Sequence, residues 1–369
     1  MIEYENLAKL NKPLFEEFQN AFIHTLESGR YILGEQVILF ETEFAQYHNH
    51  LFCTGVASGL DALIMGLSVF NFPKKSKVLV PANTYIASIL AIIRAGLIPV
   101  LVEPNKNTCL IDVEELSRKY DSDCVAIMPV HLYGRMCDMP QIMEFATARN
   151  LKVIEDCSQA HFAEINGIKA GCFGDIGAFS FYPTKNLGAL GDAGAIICKD
   201  IMVFEKLKAL RNYGSEKKYE NKFIGWNSRL DEMQASFLRI KLKHLQSITD
   251  HKRYLASVYM QKLKNISQIQ LPEIAGSNHV WHIFNILTDT RNELKIFLSQ
   301  NGIETEIHYP IAPHKQEAYK ELFKDSVFPV SENIHRTTLS LPISWFHTEK
   351  DVLLISDTIN EYFVRLNNS

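Results

Sequence analysis

A lysine reacts as an amine only when its charged form is disfavoured, and Lys185 stands where that condition can be met. It follows the β-rich run Ala178–Tyr182 in Ser180-Phe181-Tyr182-Pro183-Thr184-Lys185-Asn186 and enters a Gly-rich, largely apolar stretch. Desolvation there would leave a nucleophilic amine. Upstream, the segment Glu155-Asp156-Cys157-Ser158-Gln159-Ala160-His161 places Asp156 at the end of the apolar strand Leu151–Ile154. A carboxylate buried at that point needs a cationic partner, because an unpaired buried charge costs several kcal/mol. An amine that condenses with an aldehyde, next to a carboxylate that keeps a ring nitrogen protonated, meets the two demands of pyridoxal phosphate (PLP) chemistry.

An anion site is written at Ser58-Gly59-Leu60, where a strand turns into a helix. Free backbone N–H groups and the positive end of the helix dipole favour a phosphate at such a turn. Asp61 lies in the same first turn, where its charge would repel a phosphate, so it is read as a helix-start residue and not a ligand. The series Gly188-x-x-Gly191-x-x-Gly194 precedes a strand instead of opening a helix after one, so the dinucleotide-binding mechanism does not apply. The seven cysteines have no C-x-x-C spacing, and the close histidine pairs His48/His50 and His279/His282 lack a third ligand. Neither a disulfide framework nor a metal site is expected.

The elements that must position these residues alternate. The runs Phe52–Ala57, Lys77–Val80, Pro99–Val102, Cys124–His131, Lys152–Glu155, Ala178–Tyr182 and Ala195–Cys198 read as strands. Between them, Leu60–Phe70, Ile86–Ala95, Val113–Tyr120 and Met139–Asn150 carry apolar residues at helical spacing. This is the pattern of an α/β fold with a mostly parallel, seven-stranded sheet covered on both faces, whose ligands bind at the carboxyl ends of the strands. Residues 201–265 read as helices, with a long amphipathic one from Met233 to Lys264. A strand at Ile283–Leu287, a helix at Asn292–Gln300 and a last helix from about Lys350 form a smaller α/β unit. The expected division is a large domain over residues 1–245, N-terminal segment included, and a small C-terminal domain over 246–369.

The 369 residues are 47% hydrophobic and 22% charged with a net charge of −4, which suits a large core and argues against a basic nucleic-acid surface. The longest strictly apolar run, Ile89–Ile93, is far shorter than the roughly 20 residues of a membrane span. The start, Met1-Ile2-Glu3-Tyr4-Glu5, lacks a signal peptide's profile. A cytoplasmic protein is expected.

Five separated motifs resemble those of the DegT/DnrJ/EryC1/StrS sugar aminotransferases, enzymes of the fold type I aminotransferase architecture. They are Gly55-Val56-Ala57-Ser58-Gly59-Leu60-Asp61-Ala62-Leu63, Pro81-Ala82-Asn83-Thr84-Tyr85, Glu155–His161, Phe179–Gly194 and Asn227-Ser228-Arg229-Leu230-Asp231. The resemblance spans nearly the whole chain and implies PLP as cofactor. It implies that Lys185 holds the cofactor's aldehyde, Asp156 its ring nitrogen and Gln159 its phenolic oxygen, with Tyr85 stacked on the ring. Ser58, Gly59, Leu60 and Ser180 would hold the phosphate, and Asn227 would reach the phosphate of a neighbouring subunit in a homodimer with shared sites. His161 is left open between a ring contact and a packed rim histidine.

Within that family, Tyr182–Asp192 and Ile307-His308-Tyr309-Pro310-Ile311-Ala312-Pro313-His314 are similar to the branch that aminates C3 of dTDP-linked 3-keto-6-deoxyhexoses, as is Arg30-Tyr31-Ile32-Leu33-Gly34. The resemblance implies L-glutamate as amino donor, a nucleotide-linked keto-sugar as acceptor, and Tyr31, Tyr182, His308 and Tyr309 as substrate-binding residues, in O-antigen, S-layer or antibiotic sugar synthesis. C4 amination of a 4-keto-6-deoxysugar is the neighbouring alternative. A dehydratase of the same fold carries histidine in place of the lysine, against which Thr184-Lys185-Asn186 argues. A non-catalytic PLP-binding regulator would usually carry a DNA-binding module, for which the chain leaves no room. Phe162 and Ala193 stand where relatives commonly have glycine, and their bulk is expected to narrow the pocket.

Overall fold

The computed structural model describes residues 1–48, 52–273 and 276–368. Its central sheet holds β1 (Phe52–Val56), β2 (Lys77–Pro81), β3 (Ile98–Val102), β4 (Cys124–Ile127), β5 (Lys152–Asp156), β6 (Ile176–Ser180) and β7 (Gly194–Cys198) in the order β1-β7-β6-β5-β4-β2-β3. Only β7 is antiparallel to its neighbours. The carboxyl ends of six strands therefore share one rim with the amino end of β7. Successive side chains of a strand face opposite sides. In β6, Phe179 enters a core with Val37, Phe40 and Phe44, while Ile176 and Ala178 enter another with Leu63, Ile89 and Ile92. Both faces are covered, which is why these strands read as continuous apolar runs.

Helix starts follow from capping residues. Ser58 accepts the Asp61 amide to open the helix Gly59–Ser68, and Asp112, Asp138 and Asp200 do the same for Val113–Lys119, Met139–Ala148 and Ile201–Leu210.

Two expectations are corrected. The strand expected over Cys124–His131 ends at Ile127, since Pro129 has no N–H to continue a ladder. Val130 still bridges Asp156. The helical reading of 201–265 also fails in its middle: Ile201–Leu210 and Glu232–Leu263 are separated by a small hairpin, Ser215–Lys217 on Glu220–Asn221. Tyr213 and Gly214 both have left-handed backbone there, φ 60° and 74°, which ends the first helix. A Cβ on Gly225 would lie 2.1 Å from the Gly214 nitrogen, so the hairpin base closes only on glycine.

The 32-residue helix Glu232–Leu263 runs through position 245 and joins the sheet layer to a separate apolar core. That core includes Leu255, Tyr259, Phe284, Leu294, Leu339 and Ile355. Here β8 (Phe284–Leu287) pairs antiparallel with β9 (Thr338–Leu341), flanked by Arg291–Gln300 and Glu349–Asn367. The helix Pro329–Thr337 and β9 were not foreseen in the sequence. The N-terminal segment docks on this unit through Ile2, which bridges Ile303. Among the described residues no helix is long and apolar enough to cross a membrane.

Candidate active site

The rim of the sheet gathers the reactive residues. β5 delivers Asp156, which is 4% exposed. One carboxylate oxygen accepts the Ser88 hydroxyl at 2.7 Å and the other the Ser158 amide at 3.1 Å. Thr84 Oγ1 lies 2.8 Å from Ser88 Oγ and continues the chain of hydroxyls. No cation lies within ion-pair distance of Asp156 among the described residues, so the side-chain partner expected for this carboxylate is not supplied by the protein. Glu155, next in sequence, serves a different purpose. Its carboxylate accepts the amides of Gly171, Phe173 and Gly174 at 2.7–2.9 Å and His131 Nε2 at 3.0 Å. Since His131 Nδ1 accepts the Cys137 amide at 3.2 Å, the buried cluster His131, Glu155 and Cys157 is occupied by hydrogen bonds that pin the loop after β5.

Lys185 sits in the turn after β6, its amide bonded to Tyr182 O at 2.8 Å. Its side chain is partly buried, and its Nζ has no hydrogen-bond or ion-pair partner among the described residues. Burial lowers its pKa to about 8, against the opposing pull of the Asp156 charge. His161, His282 and His308 surround the amine, and each has its proton affinity reduced, first by burial and then by Lys185. Both ring nitrogens of His161 lack a partner; the ring lies against Phe179 and Phe181, 5.6 and 5.7 Å between centroids.

The turn from β1 into the helix Gly59–Ser68 is built by close backbone approach. A Cβ on Gly59 would fall 2.4 Å from Ser180 Cβ, and one on Gly194 would fall 2.4 Å from the carbonyl of Ser58. Only glycine lets β1, β6 and β7 meet there. Ser58 Oγ is committed to the Asp61 amide, leaving the Gly59 and Leu60 amides without an acceptor among the described residues. Asp61 turns its carboxylate away to accept the Ser228 hydroxyl at 2.7 Å.

Gln159 is held at both ends: its Oε1 accepts the Tyr133 amide at 2.5 Å and its Nε2 donates to the Tyr309 hydroxyl at 3.1 Å. Tyr85 is half exposed and tilts over Tyr309, 5.1 Å between centroids. His308 is fixed by Ser340, at 2.9 Å. Ser180 Oγ accepts the Tyr182 amide at 3.3 Å. Tyr182 is exposed at the same rim; Tyr31 and Asn227 are exposed too, and among the described residues no hydrogen bond or ion pair joins either of them to Lys185. Phe162 has left-handed backbone, φ 77°, a conformation that favours glycine. Its ring packs on Tyr47 and under Arg253. Ser88 and Tyr133 were missed in the sequence: a serine inside an apolar helix and a tyrosine outside the motifs give no local signal, and His282 stood out only as half of a close histidine pair. His50, of the His48/His50 pair, lies outside the described residues, and His279 Nδ1 accepts the Trp281 amide at 3.0 Å.

These unsatisfied groups fit PLP. A lone amine suits its aldehyde, a buried carboxylate without a cation suits its ring nitrogen, and unpaired amides at a helix start suit its phosphate.

A family model described as the DegT/DnrJ/EryC1/StrS aminotransferase family matches residues 13–360. The chain is 48% identical over 363 residues to the dTDP-3-amino-3,6-dideoxy-alpha-D-galactopyranose transaminase of Aneurinibacillus thermoaerophilus, covering 98% of this chain and 99% of that one. It is 39% identical to the dTDP-3-amino-3,4,6-trideoxy-alpha-D-glucose transaminase of Streptomyces venezuelae, over 100% of this chain and 98% of the relative. The crystal structure of S. venezuelae DesV superimposes with a TM-score of 0.95 at 39% identity, covering 98% of each chain.

The lowered pKa of Lys185 carries a stability consequence. A lysine whose folded pKa lies below its unfolded value destabilises the fold at neutral pH, and this cost fades as pH rises from about 8 towards 10.5. Cofactor-free Lys185→Met should therefore be more stable than the parent at pH 7, by about 1–2 kcal/mol after discounting for partial exposure. Urea melts across that pH range should show the gap shrinking; a gap that widens would contradict the assignment.

Proposed function

Because the chain belongs to the DegT/DnrJ/EryC1/StrS aminotransferase family, we propose that it is a PLP-dependent transaminase moving an amino group from L-glutamate to C3 of a dTDP-linked 3-keto-6-deoxyhexose. The observation that carries the chemistry is the unpaired Lys185 amine on the same rim as the cation-free Asp156 carboxylate. When bound, the cofactor supplies a reactive carbonyl and an electron sink for the carbon that gains or loses the amine. Asp156 holds a proton at the ring nitrogen, and Ser88 and Ser158 fix the carboxylate for it. Lys185, with a pKa of about 8, can take a proton from one carbon and return it to another near neutral pH. Gln159 and Tyr309 brace each other beside it, and His308 and Tyr182 orient the hexose.

Position 3 is supported by the two transaminase relatives: their names share the 3-amino group and differ at C4. The regiochemistry then depends on where the sugar ring is held, because a displacement of one carbon, about 1.5 Å, leaves the near-attack geometry. Enzyme preloaded with pyridoxamine phosphate should consume the 3-keto sugar faster than the 4-keto sugar in single-turnover assays, and Tyr309→Phe or His308→Ala should slow this half-reaction far more than the one with glutamate. Faster use of the 4-keto sugar would move the assignment to C4 and leave transamination standing.

The active unit is a homodimer with shared sites. Phe22, Ile23, Tyr31, Ile32 and Ile38 of the helices Phe15–Ser28 and Glu35–Tyr47 and the segment between them, with Tyr213, Tyr219 and Ile224 around the hairpin, are all at least 42% exposed. Apolar exposure of this kind marks an interface. In the dimer Asn227 reaches the phosphate of the partner's site. Mixing inactive Lys185→Ala with inactive Asn227→Ala should restore activity, since each heterodimer then holds one site with both native residues. A monomer that stays active on dilution would contradict it. Assembly of this kind in nucleotide-sugar synthesis suits a cytoplasmic enzyme.

A further inference from the structure

Lys185 is not the only lysine in the neighbourhood. Lys252, on the helix Glu232–Leu263, is 5% exposed. Its ammonium donates to Asn186 Oδ1 at 2.8 Å and more weakly to the His282 carbonyl at 3.4 Å. Asn186 is the residue after Lys185, and its amide is fixed by the Val280 carbonyl at 3.0 Å. Behind Lys252 stands Glu5, whose Oε1 accepts the Ser344 hydroxyl and the Asn6 amide, each at 3.0 Å. Glu5 and Tyr4 close one wall of a cavity of about 150 Å³ whose other walls include Thr184, His282 and His308. The N-terminal segment thus brings a carboxylate to the back of the Lys185 turn.

Two ammonium groups sharing a low-dielectric region repel, so the pair titrates as a unit and one member gives up its proton first. Which one does so is set by hydrogen bonding to the charged form. Burial lowers the pKa of Lys252 to about 8 as well, with Glu5 raising it and Lys185 lowering it, so burial does not separate the two amines. Hydrogen bonding does, since the Lys252 ammonium has two acceptors and Lys185 Nζ has none among the described residues. We propose that Lys252 is a positioning residue that keeps the proton of this pair, so that Lys185 stands ready as a free amine. Glu5, the carboxylate acting on Lys252, holds the proton there. The inference rests on Lys185 being the cofactor lysine. The remaining groups facing the pair do not compete for the proton. His161, His282, His308 and His347 are all held neutral, first by burial. Asp156 favours a proton on Lys185 but forms no ion pair with it. Lys241 donates to the Gly188 carbonyl at 2.7 Å and also leans on Glu5.

The test is competitive acetylation of the full-length, cofactor-free chain by trace acetic anhydride across a pH series, with the Lys185 peptide quantified by mass spectrometry. In Lys252→Met the Lys185 midpoint should rise by about one pH unit, an order of magnitude less labelling at neutral pH. Lys252→Arg, which keeps the charge, should stay near the parent. Glu5→Gln should also raise the midpoint, by loosening the proton on Lys252 without emptying a buried position. An unchanged midpoint in Lys252→Met, an equal rise in Lys252→Arg, or an unchanged or lowered midpoint in Glu5→Gln would overturn the proposal. Borohydride reduction of the cofactor-loaded parent tests the underlying reading separately: linkage to another lysine removes it, whereas linkage to Lys185 with unmoved midpoints removes only the role of Lys252.

Discussion

The arrangement depends on one electrostatic constraint: a carboxylate buried at the end of a central strand without a cation of its own. Asp156 is satisfied by a serine hydroxyl and an amide, enough to hold its orientation but too little to neutralise its charge. A carboxylate buried in this way favours a positive charge brought beside it. Lys185 stays out of contact, and a direct pair would have quenched both groups. The separation keeps the amine reactive and the carboxylate available to a cationic ring nitrogen.

Everything around that separation keeps it rigid. Glu155 draws three loop amides and His131 to itself, so the chain leaving Asp156 cannot relax toward Lys185. Gly59 lets the first turn of a helix press on Ser180 and Gly194 lets β7 press on Ser58, fixing that helix start relative to the lysine turn. The fold accepts instability at Lys185 in exchange for reactivity, as strained functional sites commonly do.

Much of this was legible in the sequence because it is local. Unalternating Val/Ile runs identified the buried strands, and a strand followed by Ser58-Gly59-Leu60 identified the turn into a helix. Asp156 and Lys185 announced themselves by standing directly after apolar runs. What was illegible comes from distant parts of the chain. Ser88 looks like one polar residue in an apolar helix, and only the pairing of β2, β4 and β5 brings it to Asp156. Lys252 reads as an ordinary charge on an amphipathic helix, yet it is buried against Asn186. The hairpin after Leu210 was overridden by helical periodicity on both sides, although Tyr213-Gly214 carried the stop signal. β9 was hidden because Thr338–Leu341 follows a helix with no intervening loop.

The most direct measurement of the central claim is the transamination rate of Asp156→Asn, made on protein shown to fold and to bind PLP. The substitution keeps the shape while removing the charge proposed to hold a proton on the ring nitrogen. The rate should fall by several orders of magnitude, each 1.36 kcal/mol of lost stabilisation counting as a factor of about ten. A rate near that of the parent would contradict the account.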